Sequence, residues 1–156
     1  MDDYRDAIAS CCRQLRLSAN LADNAFAIQG ETHQEYLYNL LSEEIKCRKA
    51  ARIGKLINSA GFPVQHNFAA FQPDEVQFPS GVTPESLKAL EFFHAGNNLV
   101  MYGSTGTGKT MLSICIGMEA CRSGIPVKFF RTASLINQLS EAQERGSLAQ
   151  LHKKLD

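Results

Sequence analysis

Eight consecutive residues, Gly103-Ser104-Thr105-Gly106-Thr107-Gly108-Lys109-Thr110, match the pattern G-x-x-x-x-G-K-[ST] in full. Each residue type answers a physical need. Glycine lets the backbone turn tightly and bring its N–H groups close to an anion with no Cβ in the way. When a helix starts there, its unpaired N–H donors and its dipole both favour negative charge. A lysine at this spacing places its ammonium on the β- and γ-phosphates of a nucleotide, and the Thr110 hydroxyl suits one position of a Mg²⁺ shell. The chemistry is the holding of ATP and Mg²⁺. The candidate cofactor-binding set is Gly103, Ser104, Thr105, Gly106, Thr107, Gly108, Lys109, Thr110 and Met111, with Thr110 also the metal ligand. At ordinary residue frequencies a chance match in a chain of this length is on the order of half a percent, so the motif is treated as real.

The elements that must position this loop are legible around it. Leu99-Val100-Met101-Tyr102 is a short apolar run ended by glycine and reads as a buried strand. Lys109 to Arg122 reads as a helix with Leu112, Ile116 and Ala120 on one face, closed by Gly124. Val127-Lys128-Phe129-Phe130 reads as a second strand, and Thr132 as the cap of a helix holding Leu135, Ile136 and Leu139. Strands alternating with helices predict an α/β fold with a parallel sheet.

Upstream the chain reads as helices. Tyr4 to Leu17 and Ala19 to Ile28 are short. Thr32-His33-Gln34-Glu35 is a capping box that opens a helix running to about Ser59. Its apolar stripe is Leu37, Leu41 and Ile45, continued by Ile53, Leu56, Ile57 and Ala60. Between Ala60 and Gly81, Pro63, Pro73 and Pro79 with Phe68, Phe71 and Phe78 indicate an ordered loop, because three aromatics need a surface to cover. Thr83-Pro84-Glu85 opens a further helix that buries Leu87 and Leu90, with Phe93 a third candidate, and Gly96 closes it. The organisation expected is a helical region over 1–62, a linker and pre-loop helix over 63–97, and a P-loop domain over 98–156.

Composition excludes several classes. The 16 basic and 16 acidic side chains cancel and are evenly split on either side of His66, so neither half is a nucleic-acid tail. No apolar run approaches the roughly 20 residues that span a bilayer. The acidic start MDDYRDAI lacks a signal-peptide layout, and five cysteines, an odd number with no C-x-x-C pair, indicate free thiols in a reducing cytoplasm. Cys115 and Cys121 read as packing residues. The four histidines have no paired spacing.

Two weaker signals stay open. Arg48, Arg52 and Lys55 share a helix face and could grip a nucleic-acid backbone. The plainer reading, which the residues favour, is a solvated face on which the Glu44–Arg48 pair supports the helix. Phe68 and Phe71 could wall an adenine pocket or anchor the linker to the core, and their spacing favours the anchor.

The order of these features resembles a known family. A capped helix with Arg48 and Arg52 leads to Ala60-Gly61-Phe62-Pro63 and the Phe68/Phe71 linker. Asn98 to Gly103, the P-loop, and Gly124-Ile125-Pro126-Val127-Lys128-Phe129-Phe130 follow. This looks like the IstB-like transposition helper ATPases, relatives of the DnaC-type helicase loaders in the AAA+ class, from about Leu15 to Leu155. The resemblance implies the first part of an AAA+ parallel-sheet domain behind an N-terminal helical module. It also implies a protein that binds ATP, assembles on DNA as a homo-oligomer and directs a transposase to its target. It moves Phe68 and Phe71 toward the adenine side. The family's Walker B strand, an apolar run ending in an acidic pair, has no counterpart here. After Lys109 the acids are Glu119, Glu141, Glu144 and Asp156, and none follows a strand. No catalytic residue is therefore assigned. The expectation is a chain truncated before Walker B, with hydrolysis lost. A helicase loader and an inactive relic or binding module are the alternatives.

Overall fold

The computed structural model describes residues 2–72 and 76–155. Pro73 of the linker and Asp156 of the terminal run lie outside the described residues. The chain divides into two compact units, Met1–Gly54 and Lys55–Asp156.

In the first unit, α1 (Asp2–Gln14) and α2 (Leu21–Ala27) pack on each other around Cys12, Leu21 and Ala22. Arg5 ties the pair on the outside: its guanidinium lies 2.5 Å from Asp23 and 5.0 Å from the centre of the Phe26 ring. α3 (His33–Ala60) starts at the expected cap. The Glu35 N–H donates to Thr32 Oγ1 at 3.1 Å, while the Glu35 carboxylate reaches one residue further back than a standard box and accepts from the Glu31 N–H at 2.8 Å. Gly30 makes this entry possible, because a Cβ there would lie 2.3 Å from the Tyr36 nitrogen.

The apolar stripe expected to bury α3 does not do so over its first half. Leu37, Leu41 and Ile45 are 53%, 47% and 67% exposed. The helix turns inward instead through Tyr36, Asn39 and Glu44. The Tyr36 hydroxyl donates to Ala25 O at 2.7 Å and the Asn39 amide to Gln29 O at 3.1 Å. Glu44 is 4% exposed and its carboxylate accepts from the Ser18 N–H at 2.9 Å, the Ser18 hydroxyl and Arg48 Nε at 2.6 Å. Polar groups at the α1–α2 loop ends decide which face is covered, and apolar periodicity cannot see them.

The second unit is built around α6 (Lys109–Arg122), which is buried nearly all round by Leu112, Ile114, Cys115, Ile116, Gly117, Met118, Ala120 and Cys121. Phe71, Leu87 and Leu90 close one side of it. Phe62 packs so closely on Gly117 that a Cβ there would sit 2.8 Å from its ring. The helix expected from Pro84 to Gly96 is two short ones, α4 (Pro84–Lys88) and α5 (Glu91–His94). The break falls at Leu90, whose φ of 58° lets its side chain turn into the core at 2% exposure while Phe93 stays half exposed. α7 (Thr132–Glu144) begins with Thr132 inside the helix, and Arg131 is the capping residue with no side-chain bond. α8 is Leu148–Leu155.

The predicted α/β fold is not found: among the described residues there is no strand and no sheet, only helices and irregular segments. The two runs read as strands do alternate. Leu99, Met101 and Val127 pack on the core, while Val100 and Tyr102 are 82% and 94% exposed. Alternation fixes which side chains turn inward, but a strand also needs a neighbour for its N–H and C=O groups. Among the described residues, the one such bond found for 127–130 runs from the Phe129 N–H to Ala60 O at the end of α3, 2.8 Å long.

Candidate nucleotide site

The apolar surroundings of α6 hold its first turn at the surface end of the core, and the loop of Gly103–Gly108 arrives there in the conformation its composition demands. Gly103, Gly106 and Gly108 have φ of 138°, 90° and 78°, backbone settings that side chains resist. Gly108 caps α6 without a side-chain bond, leaving the N–H groups of the first turn for an external acceptor. Ser104, Thr105 and Gly106 are exposed at the tip. The loop is braced from within, since the Thr107 hydroxyl donates to Ser104 O at 3.0 Å.

Lys109 is half-buried and its ammonium is held at the loop: it donates to Gly103 O at 3.0 Å, Ser104 O at 2.6 Å and Thr107 Oγ1 at 3.2 Å. Sequence reasoning gave Lys109 to the phosphates and missed these carbonyl partners, for which nothing in the sequence signals. They hold the ammonium against the loop that precedes α6. Thr110 is exposed in the first turn, its carbonyl accepting from the Ser113 hydroxyl at 2.8 Å. Met111 turns its side chain onto the core, so it can contribute only its N–H. Fixed glycine conformations, open backbone donors, a placed ammonium and an exposed hydroxyl suit a phosphate chain with its Mg²⁺.

Phe71 is 9% exposed and lies within the core cluster with Leu87, Leu90, Leu112 and Cys115, with Phe68 edge-on to it at 6.4 Å. Its ring edge passes 3.9 Å from where a Cβ on Gly108 would be. That is the anchoring reading of the linker, with the anchor set directly beneath the loop. Burial pushes the thiols of Cys115 and Cys121 up, and for Cys115 the Glu119 charge adds to the rise, so both are packing groups.

The basic residues of α3 divide. Arg48 is committed to Glu44 and also donates to Arg16 O, whereas Arg52 and Lys55 are exposed.

The family profile of the IstB-like ATP binding proteins matches residues 13–155 of this chain. The chain belongs to the IstB-like ATP-binding family. Among similar proteins, one from Geobacillus stearothermophilus, named as an ATP-binding protein of insertion sequence IS5376, is 31% identical over 150 residues, 92% of this chain and 59% of its own length. An insertion-sequence ATP-binding protein of Mycobacterium tuberculosis is 28% identical over 140 residues, 86% of this chain and 55% of its own. A third, from Bacteroides fragilis, is 22% identical over 161 residues, 99% of this chain and 61% of its own. This IstB-like chain thus spans a little over half the length of the relatives it matches. Among its described residues, no helix is long and apolar enough to cross a membrane.

Proposed function

We propose that this IstB-like protein holds Mg-ATP at Gly103–Thr110 and acts as a helper in DNA transposition, bringing a transposase to its target. The observation that carries the nucleotide half is the loop itself: three glycines at positive φ, an α6 start with no side-chain cap bond and Lys109 bonded to the carbonyls of Gly103 and Ser104. The insertion-sequence names of the relatives support the transposition half over a helicase loader. In this reading residues 1–62 face DNA or transposase, 63–97 link, and 98–156 carry the nucleotide.

Within the site the N–H groups of the α6 first turn bind the phosphate oxygens. Lys109, held by Gly103 O and Ser104 O, would turn to the β/γ-phosphates when a nucleotide binds, and Thr110 would offer its hydroxyl to the metal. Bound Mg²⁺ would neutralise charge between the phosphates.

Turnover needs a metal held from a second side and a positioned water. Glu119 is ten residues along α6 from Lys109, about 15 Å by helical rise, and is engaged by Arg122 at 2.6 Å. Glu141 and Glu144 are on α7. These 156 residues are therefore expected to bind ATP without hydrolysing it. Phosphate release with and without duplex DNA should equal that of Lys109→Ala, and DNA-stimulated release above that control would refute the assignment.

Contact with DNA would fall to Arg52 and Lys55, since Arg48 is occupied by Glu44. Duplex binding should weaken with salt, and Arg52→Glu with Lys55→Glu should flatten the log–log slope by about one unit per lost contact. No duplex binding at low salt would leave these two as solvated side chains.

A further inference from the structure

The pattern G-x-x-x-x-G-K-[ST] leaves the residue at 107 open, and the structure gives that residue a task. An ammonium carries three N–H donors and no acceptor. Around Lys109 three loop oxygens take them: Gly103 O at 3.0 Å, Ser104 O at 2.6 Å and Thr107 Oγ1 at 3.2 Å. Two of these are backbone carbonyls, which every residue type has. The third is a hydroxyl, and it depends on the side chain at 107. Its single proton is spent on Ser104 O at 3.0 Å, so it faces Lys109 as an acceptor. Lys109, Thr107 and Ser104 thus close a ring of three hydrogen bonds within the loop. The hydroxyl reaches across to the first glycine, since a Cβ on Gly103 would lie 3.8 Å from it. A β-branched side chain is stiff at χ1, so this hydroxyl has little freedom to leave. Thr107 is half-buried, whereas Thr105 is exposed.

We infer that Thr107 is a positioning residue for Lys109: its hydroxyl sets where the ammonium stands before a phosphate arrives. The consequence for binding rests on the nucleotide reading of the loop; the hold on Lys109 does not. A lysine side chain gives up much rotamer freedom when it is fixed on a ligand. Here the loop itself does the ordering. Of the three contacts the hydroxyl is the one most readily given up, being the longest and the only one not fixed to the backbone. The ammonium can turn from Thr107 to a phosphate oxygen while the carbonyls of Gly103 and Ser104 keep it. A neutral acceptor is then exchanged for a charged one, which is the stronger bond. Thr107 therefore serves the phosphate chain of the ligand, and neither its base nor its sugar.

The test sets Thr107→Val, which keeps the shape and removes the hydroxyl, beside Thr107→Ser, which keeps the hydroxyl. The first readout needs no nucleotide. Ammonium protons held by acceptors exchange slowly enough to be seen by NMR in a chain carrying isotope-labelled lysine, and loss of a signal in Lys109→Ala assigns it. The Lys109 signal should be present in the natural chain and in Thr107→Ser. It should be lost in Thr107→Val, with the thermal unfolding of that variant unchanged. The second readout is titration of a fluorescent ATP analogue with Mg²⁺. Thr107→Val should bind about five- to ten-fold more weakly and Thr107→Ser within about three-fold of the natural chain, as expected for the ordering of one long side chain. Inorganic tripolyphosphate, used as competitor, should lose affinity for Thr107→Val by the same factor. An unchanged Lys109 signal in Thr107→Val would overturn the inference, as would equal or tighter nucleotide binding by that variant. So would a Thr107→Ser that behaves like Thr107→Val, because shape and not the hydroxyl would then matter. A natural chain that binds no nucleotide, with the Lys109 signal lost in Thr107→Val alone, would uphold the hold on Lys109 and sink the nucleotide reading.

Discussion

Replacing Phe71 by alanine is expected to cost the second unit about 3–5 kcal/mol, as truncating a buried phenylalanine generally does. The ring is 9% exposed, packs with Leu87, Leu90, Leu112, Cys115 and Ile116, and has Phe68 edge-on at 6.4 Å. Removing it opens a cavity beside Gly108, at the end of α6 where the glycine loop enters. Chemical denaturation followed by circular dichroism gives the number. The competing role, a platform for adenine, predicts the reverse pattern of nearly unchanged stability and weakened affinity for adenine nucleotides. Phe68→Ala is the internal comparison. Phe68 belongs to the edge of the cluster, so its loss should cost clearly less.

Much of the site was legible in the sequence because its demands are local. Gly103, Gly106 and Gly108 are chosen by backbone torsion alone, and all three adopt positive φ. The start of α6 at Lys109 and its end at Arg122 are likewise written in the glycines at either side. The Thr83–Pro84 cap was legible for the same reason, and Ser86 adds its hydroxyl to the box by accepting from the Thr83 N–H at 3.0 Å. What escaped was non-local. The runs 99–102 and 127–130 have the alternation of strands, but a sheet is a relation between segments, and among the described residues the one backbone partner of 127–130 is Ala60. Leu90 could not be foreseen as a helix break, because its left-handed backbone is imposed by the core that its side chain enters.

α3 teaches the complementary lesson. Its apolar stripe turns inward at Ile53, Leu56, Ile57 and Ala60, but over the first half of the helix the face that is covered is a different one, chosen by a carboxylate. Glu44 at 4% exposure gathers Ser18 and Arg48, and with them the Arg16 carbonyl, into one polar junction. The pair was visible as an i,i+4 spacing, worth a few tenths of a kcal/mol on an isolated helix. Its partners 26 residues upstream were not visible, and they convert a surface pair into the junction that joins α3 to the loop after α1.

The central claim is that Gly103–Thr110 binds the triphosphate and that Lys109 supplies the positive charge. Lys109→Ala removes the only ammonium that the loop carbonyls of Gly103 and Ser104 hold in place. A charge-assisted hydrogen bond to phosphate is roughly twice as strong as a neutral one, and one ammonium can make several. The loop loses three bonds to that side chain in the same change, two at backbone carbonyls and one at the Thr107 hydroxyl, and α6 keeps its buried faces. Helix content should therefore be unchanged while affinity falls by roughly a hundred-fold or more, about 3 kcal/mol at 1.4 kcal/mol per decade. The decisive measurement is a titration of a fluorescent ATP analogue with Mg²⁺ into the natural chain and into Lys109→Ala. Saturable binding by the first and none detectable by the second is the predicted result. Equal affinity in the two proteins would contradict it and remove the loop from the function.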